Sequence, residues 1–291
     1  MPEHLYRETY EEGVGFLSML NEAALDARLL LEAVCGTAVS DLFSRPERPV
    51  SDEEYEEYLH YLELRAGRMP VAYILGAWEF MGLSFLVSQD VLIPNQDTEL
   101  LVEEAMKSLS GGMRILDLCT GSGCILLSLL HYSCDTTGVG TDISGDALAI
   151  ASANAEKLGL SERCTFLQGD LFGAMEQPEE GREQKEQKFD MIVSNPPYIP
   201  SGDIASLEPE VGIHEPRISL DGGPDGLLFY RKIAAMADRF MRPGGYIYLE
   251  TGFDQTEDVS ALLAGRGFTE IKVFSDYGGN PRVVCARKGV M

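Results

Sequence analysis

From Met113 onward, the chain alternates short apolar runs with amphipathic stretches such as 146–158 and 227–240. The predicted strands are 114–118, 137–141, 164–168, 191–194, 246–249, 270–274 and 283–286. Buried strands that alternate with helices form a mainly parallel sheet with helices on both faces. The sequence therefore predicts an α/β fold with a doubly wound, seven-stranded, mostly parallel sheet. Because the last two strands lie close together in the chain, we expect them to pair as an antiparallel edge.

A glycine-rich turn follows the first of these strands and precedes a helix at 125–130. The turn consists of Cys119, Thr120, Gly121, Ser122 and Gly123. Glycine allows a tight turn and the close approach of a ligand to the backbone. Asp142 ends the second strand, where a carboxylate can accept both hydroxyls of a ribose. The turn and the acid together indicate a site for an adenosine-containing cofactor.

The spacing within the turn bears on which cofactor binds. The dinucleotide pattern GxGxxG needs a third glycine, but position 126 is leucine. Asp117 completes an Asp-x-x-x-Gly-x-Gly pattern that resembles the cofactor motif of class I S-adenosylmethionine (SAM) methyltransferases. From the turn alone, a dinucleotide site and a tight turn without a ligand remain alternatives to SAM.

A second motif, Asn195-Pro196-Pro197-Tyr198, follows the fourth strand. Two consecutive prolines have no N–H groups, so they cannot continue the ladder and instead form a rigid extended segment. This segment leaves the sheet at its C-terminal edge, where ligands bind in such folds. Asn195 offers a side-chain carbonyl oxygen, the prolines offer backbone carbonyls, and Tyr198 offers an aromatic ring.

These groups are suited to holding a planar –NH2 group, in an amide or an adenine ring. Such a nitrogen is a poor nucleophile because its lone pair is delocalised. Two acceptors that hold its N–H bonds favour a tetrahedral nitrogen, and the bonds strengthen as positive charge develops there. Tyr198 can pack on the flat face of the group. The two motifs together predict an amino-group N-methyltransferase; the alternative for the second motif is a rigid turn with a stacked tyrosine.

The chain before residue 79 has a different pattern. Apolar residues at 23–31 have helical spacing, and Ser51 followed by three acids is typical of a helix start. The runs 83–87 and 91–93 flank Ser88-Gln89-Asp90 and predict a β-hairpin. We therefore expect three parts: an all-helical domain at 1–78 that recognises the substrate, a hairpin linker at 79–95 and the catalytic domain at 96–291.

The overall charge restricts the partners. The chain has 23 Lys and Arg against 47 Asp and Glu, a net charge of −24. Proteins that grip nucleic acids nonspecifically use clustered basic residues, so we expect no stable nucleic-acid binding and a basic protein partner instead. The N-terminus lacks the pattern of a secretory signal, and no apolar stretch reaches the ~18 residues of a membrane span. These features predict a cytoplasmic protein that does not bind membranes.

The six cysteines and four histidines do not indicate a metal site. The cysteines lack CxxC spacing and the histidines are scattered. We expect reduced, mostly buried thiols. The charge-dense segment between Gly173 and Lys188 is typical of a solvated surface loop.

Several stretches resemble the release factor glutamine methyltransferase family (PrmC, formerly HemK), in addition to the Asn-Pro-Pro-Tyr motif. They are PVAYILG at 70–76, EFMGL at 79–83, VLIP at 91–94, DTELL at 97–101, EPR at 215–217 and LDGGPDGL at 220–227. The resemblance runs from about residue 20 to the C-terminus. It implies a Rossmann-like class I methyltransferase fold. It also implies transfer of a methyl group from SAM to the glutamine amide in the Gly-Gly-Gln motif of class 1 release factors.

By position, the resemblance also implies roles for individual residues. The turn 119–123 would line SAM, Asp142 would bind its ribose, and Asp170 and Leu171 would lie near its adenine. Asn195, Pro196, Pro197 and Tyr198 would hold the glutamine, with Asn195, Pro196 and Tyr198 catalytic and Asn195 also close to SAM.

Two positions depart from the family pattern. Asn95 stands where the family usually has arginine, so we do not expect any ionic contact that such an arginine would make from the linker. Cys119 stands where glycine is common in the turn. Because the Asn-Pro-Pro-Tyr motif also occurs in DNA adenine N6-methyltransferases, a nucleic-acid adenine methyltransferase remains the main alternative. A cofactor fold without activity is a second alternative, which the intact motifs disfavour.

Overall fold

The computed structural model describes residues 4–176 and 188–290. Its helices are α1 Tyr6–Phe16, α2 Ala23–Cys35, α3 Asp41–Ser44, α4 Asp52–Ala66, α5 Val71–Leu75, α6 Gln96–Met106, α7 Cys124–His131, α8 Gly145–Lys157, α9 Gly173–Glu176, α10 Pro209–His214, α11 Leu228–Phe240 and α12 Thr256–Ala264. Its strands are β1 His4–Leu5, β2 Pro49–Val50, β3 Ala77–Phe80, β4 Leu83–Leu86, β5 Arg114–Leu118, β6 Thr137–Asp142, β7 Cys164–Gln168, β8 Phe189–Ser194, β9 Met241–Glu250, β10 Phe268–Ser275 and β11 Pro281–Lys288.

The described residues group into two compact units. One unit comprises Met1–Ala77 together with Glu208–His214, and the other comprises Trp78–Leu207 and Glu215–Met291. The short segment that contains α10 therefore belongs to the helical unit, although it comes after the Asn-Pro-Pro-Tyr motif in the chain. No pattern in the sequence indicates that these two segments belong together.

The helical unit has its own buried core. Tyr6, Tyr58 and Leu62 are almost completely buried, and the Tyr58 hydroxyl donates a hydrogen bond to the Ala27 carbonyl. As the sequence predicted, Ser51 caps α4: its hydroxyl accepts from the Glu54 N–H, and the Glu54 carboxylate accepts from the Ser51 N–H. This reciprocal capping box satisfies two N–H groups that lack helical partners.

A buried ion-pair network lies within the helical unit. The Arg65 guanidinium contacts Asp26 at 2.7 Å and Glu210 at 2.9 Å, and Arg68 contacts Glu210 at 2.8 Å. Since Arg65 is 8% exposed, losing either carboxylate would leave a buried charge short of a partner. These contacts hold the 208–214 segment to the α2 and α4 helices.

The second unit is built on the predicted sheet. Within the described ranges, seven strands form one sheet in the order β10-β11-β9-β8-β5-β6-β7. The strands β9, β8, β5, β6 and β7 are parallel, and β11 is antiparallel to both β9 and β10. The fold class and the antiparallel edge are therefore confirmed. Each predicted strand is present, and β5 and β7 have the predicted bounds. The other strands are longer than predicted, most of all β9, which begins at Met241 and not at residue 246.

Two apolar clusters cover the two faces of this sheet. One contains residues of α6 and α7 such as Leu101 and Leu127, and the other contains residues of α11 and α12 such as Ile233 and Val259. The β5 residues Ile115–Leu118 are all buried, including Asp117. Burial on both faces explains why the strands appear in the sequence as nearly continuous apolar runs.

The sequence prediction placed the hairpin at the wrong residues, 83–87 and 91–93. The strands that pair are β3 and β4, and the turn between them is Met81-Gly82, with φ angles of 52° and 70°. Two consecutive residues with positive φ form the tight turn whose twist suits a hairpin. Ser88-Gln89-Asp90 forms only a local turn, and 91–93 is not a strand.

All six cysteines are unpaired: Cys35, Cys124 and Cys285 are buried, Cys119 and Cys164 are half-buried, and Cys134 is exposed, so it departs from the expected burial. Most of the charge-dense 174–188 segment lies outside the described residues. Across 4–176 and 188–290, no helix has both the length and the apolar character needed to cross a membrane.

Candidate active site

The two sequence motifs meet at the C-terminal edge of the sheet. The glycine turn follows β5 and the Asn-Pro-Pro-Tyr segment follows β8, and these two strands are parallel neighbours, with Leu118 paired to Ser194. The Ser194 hydroxyl donates a 2.7 Å hydrogen bond to the Leu118 carbonyl, which joins the strand ends. β6 and β7 continue from β5 to one side and β8 and β9 to the other, so the motifs flank the point where strand order reverses.

The glycine turn requires left-handed backbone conformations. Cys119, Gly121 and Gly123 have φ angles of 58°, 54° and 80°. No atom lies within 4 Å of the place where a Cβ on Gly121 would be, so a ligand can approach its backbone. A Cβ on Gly123 would lie 3.1 Å from Leu127 and 3.3 Å from Ala151. Gly123 therefore allows α7 to pack against α8 and does not line the cavity described below.

Asp117 supports the turn from beneath. Its side chain is fully buried, and the Thr120 hydroxyl donates a 2.6 Å hydrogen bond to its Oδ2. Burial raises the pKa of Asp117 to about 7, although the hydrogen bond from Thr120 opposes the shift. Asp117 therefore stabilises the shape of the turn rather than facing a ligand.

Asp142 is held with its carboxylate at the cavity. Its Oδ2 accepts from the Gly121 N–H at 2.9 Å, and its Oδ1 accepts from the Ser144 N–H at 2.9 Å. Each carboxylate oxygen has a second acceptor site, so both can still bind hydroxyl groups. The predicted acid and the predicted turn are thus in direct contact.

Asp170 and Leu171, which follow β7, line the same cavity. The Asp170 carboxylate lies 2.8 Å from Lys232, and the Lys232 ammonium group lies 5.5 Å from the centre of the Phe229 ring. Lys232 and Phe229 also line the cavity. The pair between Asp170 and Lys232 is about half exposed, so it contributes little to stability.

Four residues of the second motif occupy different positions. Asn195 and Pro197 line the cavity, whereas Pro196 is buried and Tyr198 is half-buried, and neither of these two is part of the lining. Burial and the nearby Glu250 raise the pKa of Tyr198, so its phenol stays neutral. The structure thus brings Asn195 and Pro197 to the same cavity as the glycine turn and places Tyr198 beside it.

Distant segments fix the backbone of this motif. The Gln255 side-chain amide donates a 2.9 Å hydrogen bond to the Tyr198 carbonyl. The Ile199 N–H donates to the Leu220 carbonyl, and the Gly222 N–H donates to the Ile199 carbonyl. A Cβ on Gly222 would lie 2.7 Å from the Tyr198 backbone, and one on Gly226 would overlap the Tyr198 carbonyl oxygen. The glycine-rich 220–227 segment is therefore a close-packed support for the motif.

Sequence reasoning missed two polar residues beside Asn195. The Asn195 Nδ2 donates a 3.1 Å hydrogen bond to the hydroxyl of Thr98, which lines the cavity from the first turn of α6. Glu250 is fully buried at the end of β9, and burial raises its pKa to about 7. Glu250 follows a predicted strand as Asp142 does, so the rule of the strand-end acid could have identified it. No comparable signal distinguishes Thr98.

The cavity between these residues encloses about 290 Å³. Its polar lining includes the turn, Asp142, Asp170, Lys232, Thr98 and Asn195, and its apolar lining includes Leu92, Ile93, Pro94, Ile125, Ile143, Leu171, Ile218 and Phe229. A strand-end carboxylate, an accessible backbone turn and an apolar wall fit the ribose, the amino-acid tail and the adenine of SAM. Among the described residues, no three His, Cys, Asp or Glu side chains are grouped to hold a metal ion.

Two family models match the chain. Residues 8–76 match the PrmC N-terminal domain, and residues 109–267 match a methyltransferase domain. A release factor glutamine methyltransferase of Agrobacterium fabrum is 43% identical, with the alignment covering 91% of this chain and 90% of the relative. This chain belongs to the release factor glutamine methyltransferase family. The family predicted from the motifs is therefore confirmed.

A second relative has the same description, and a solved structure shares the fold. The release factor glutamine methyltransferase of Caulobacter vibrioides is 40% identical over 92% of this chain and 91% of the relative. The solved 16S rRNA methyltransferase of T. thermophilus, in complex with AdoMet and guanosine, has a TM-score of 0.51 and 20% identity. That similarity covers 73% of this chain and 49% of the other, and it shows the fold alone. The cofactor of this family member is SAM, as the two motifs and the family resemblance predicted.

Proposed function

We propose that this protein methylates the side-chain amide nitrogen of the glutamine in the Gly-Gly-Gln motif of peptide chain release factors. One observation carries the proposal. The side chain of Asn195, an amide-binding group, lines the same cavity as the glycine turn and Asp142. A substrate nitrogen held by Asn195 is therefore beside the cofactor.

For the cofactor, we propose contacts along 119–122, at Asp142 and at Asp170 and Leu171. Asp142 can accept hydrogen bonds from ribose hydroxyls, because each of its oxygens has spare acceptor capacity. The open surface above Gly121 can receive the amino-acid tail. When bound, SAM supplies an electrophilic methyl group on its sulfonium. Gly123 packs two helices together, so we assign it no contact with the cofactor.

For the substrate, we propose that Asn195 and the backbone carbonyl of Pro196 accept the two amide N–H bonds. These bonds hold the nitrogen in line with the methyl group. They strengthen as positive charge develops on nitrogen, so they lower the barrier more than they tighten substrate binding. Tyr198, whose phenol is neutral, packs on the flat face of the amide. Pro197 fixes the chain direction and lines the cavity. The proton lost from nitrogen becomes acidic as the new bond forms, so no base is needed before transfer.

For the helical unit, we propose a role in binding the release factor. It forms its own compact unit and presents exposed apolar side chains, including Met19 at 92% and Phe43 at 73% exposure. The net charge of −24 favours a basic partner surface. Association with release factor should therefore slow as salt rises, since exposed charges are screened beyond about 10 Å at 0.1 M. Stopped-flow measurement of the association rate at several salt concentrations tests this, and a rate independent of salt would contradict it.

The experiment for the whole proposal is methyl transfer from labelled SAM to three candidate substrates. These are an intact release factor, the same factor with the Gly-Gly-Gln glutamine changed to alanine, and duplex DNA containing adenine. We expect label on the first only, with peptide mass spectrometry placing one methyl group on the glutamine. Label on DNA would favour the adenine alternative, and equal label on both release factors would place the modification at another residue.

A further inference from the structure

The side-chain amide of Asn195 can bind in two orientations that differ chemically. Its Oδ1 only accepts hydrogen bonds, and its Nδ2 only donates them. The substrate amide N–H needs an acceptor, so a flipped Asn195 would place two donors face to face. The role proposed above for Asn195 therefore requires that something hold its orientation.

Thr98 determines the orientation through its single hydroxyl proton. Its hydroxyl donates to the Oδ1 of Asn95 at 3.2 Å. With that proton used, the Thr98 oxygen can only accept from Asn195, and the 3.1 Å contact with Asn195 is consequently made by Nδ2. Thr98 is 2% exposed, so water does not readily replace it. Asn195 Oδ1 is then available to the substrate.

Asn95 is held in place to receive that proton. It is the N-cap residue of α6, and its Oδ1 also accepts from the Thr98 N–H at 2.9 Å. The capping bond fixes the side chain, because it satisfies an N–H that has no partner within the helix. An arginine at this position, which the sequence resemblance led us to expect, carries donors only and could not accept the Thr98 proton. The departure at residue 95 thus provides an acceptor.

Glu250 provides a second acceptor near Asn195. It is fully buried, and among the described residues neither of its carboxylate oxygens has a well-formed hydrogen bond. Thr98 and Asn195 both lower its pKa against the larger effect of burial, so Glu250 and Asn95 compete for the Thr98 hydroxyl proton. With either acceptor the proton is used, and the Thr98 oxygen still accepts from Asn195 Nδ2. In its ionised form, above its raised pKa, the Glu250 carboxylate attracts the free N–H of Nδ2 and repels Oδ1.

We propose that Asn95 and Thr98 are positioning residues that hold the Asn195 amide with Oδ1 toward the substrate. Glu250 supports the same orientation from the end of β9. This inference rests on the proposed function, because it assigns a purpose to the Asn195 orientation in amide methylation. Neither Asn95 nor Thr98 contacts the transferred methyl group in this account; both act through Asn195.

The test compares two substitutions of Thr98, one that removes the hydroxyl and one that keeps it. Thr98→Val removes the hydroxyl and keeps the shape, whereas Thr98→Ser keeps the hydroxyl. We expect Thr98→Val to lower kcat for release factor roughly 3- to 10-fold, the effect of losing one neutral hydrogen bond. The KM for release factor should change by less than about twofold, because Thr98 acts on the orientation of the Asn195 amide. The SAM dissociation constant, measured by calorimetry, should also change by less than about twofold. Thr98→Ser should restore most of the lost rate.

A double-mutant cycle separates positioning from a structural role. In an Asn195→Ala background no amide remains to be oriented, so adding Thr98→Val should change the single-turnover rate by less than about twofold. A further loss similar to that in wild type would overturn the inference, as would a Thr98→Val enzyme with wild-type kcat. If Thr98→Val fails to fold, Thr98→Ala removes the same hydroxyl without adding volume. If Asn195→Ala is itself fully active, the proposed function fails instead.

Position 95 offers an independent check. Asn95→Asp keeps an acceptor for both the Thr98 N–H and the Thr98 hydroxyl, whereas Asn95→Ala removes it. We expect Asn95→Asp to retain most of the kcat and Asn95→Ala to reproduce the loss seen in Thr98→Val. If both variants had the wild-type kcat, Asn95 would not be a positioning residue.

Discussion

The glycine turn and the Asn-Pro-Pro-Tyr segment lie at the same edge of the sheet, but they are supported in different ways. The neighbouring part of the chain supports the turn: Asp117 accepts from Thr120, three residues away, and Asp142 accepts from Gly121, 21 residues away. Distant segments support the second motif, including Thr98 and Gln255. The glycine turn, which has local support, should tolerate substitutions elsewhere in the chain. The Asn-Pro-Pro-Tyr motif, whose support is distributed, depends on several separate segments at once. We expect the two regions to respond differently to substitution.

The largest effect should come from Gly222, which belongs to the distributed support. In Gly222→Ala, the new Cβ would lie 2.7 Å from the Tyr198 backbone, so the motif must move. We expect a loss of about 3 kcal/mol or more in the free energy of unfolding, because backbone atoms cannot rotate away. Urea unfolding measures this. Gly202→Ala is the matched control, since no atom lies within 4 Å there; equal stability of the two variants would contradict the close packing.

Glu250 should make stability depend on pH. Burial raises its pKa from 4.5 to about 7, so between these values the folded protein keeps a proton that the unfolded chain has lost. Stability therefore falls as pH rises through this window, by about 3 kcal/mol relative to Glu250→Gln, at about 1.4 kcal/mol per pKa unit.

The measurement is the difference in free energy of unfolding between wild type and Glu250→Gln from pH 4.5 to 8. Other acids contribute equally to both proteins, so their effects cancel. Glu257→Gln, at an exposed position in the first turn of α12, serves as the control and should show no such trend. A flat difference for Glu250→Gln would mean that its carboxyl is not titrating near pH 7.

Asp142 tests the local region. Asp142→Ala should weaken SAM binding by roughly 1.5–3 kcal/mol, the range for hydrogen bonds to a charged group. Isothermal calorimetry with the folded variant measures the dissociation constant. The control is Asp146→Ala, an exposed acid in the first turn of α8. Unchanged SAM affinity in Asp142→Ala would remove this residue from the cofactor site.

The smallest effect should come from Cys119. Its φ of 58° lies in the left-handed region, which costs a residue with a Cβ roughly 1 kcal/mol and costs glycine little. In Cys119→Gly the loss of this backbone strain offsets the loss of side-chain packing. We therefore expect a free energy of unfolding within about 1 kcal/mol of wild type. Cys124→Gly, within α7, gains no such relief and should lose more. Thermal unfolding compares the two, and a larger loss in Cys119→Gly would contradict the argument.

The same contrast explains how much the sequence predicts. The strand bounds and the glycine turn follow from local patterns, so β5 and β7 are predicted residue for residue. Asp142 was found because a polar residue at a strand end is visible in the sequence. The hairpin was predicted at the wrong residues because Met81 adopts a positive φ, which is uncommon for methionine and which the sequence therefore does not indicate. Thr98 is 97 residues from Asn195 in the chain, and no local pattern reveals that they meet.

In the proposed reaction, the Asn195 side-chain carbonyl holds the amide nitrogen as positive charge develops on it. Single-turnover methylation of release factor at saturating SAM tests this most directly. Asn195→Ala should slow transfer on the order of 10²–10³-fold, by analogy with the loss of one transition-state hydrogen bond in acyl transfer. Asn195→Asp keeps an acceptor oxygen and should retain partial activity. An Asn195→Ala enzyme that is folded, binds SAM normally and transfers the methyl group at the wild-type rate would contradict the account.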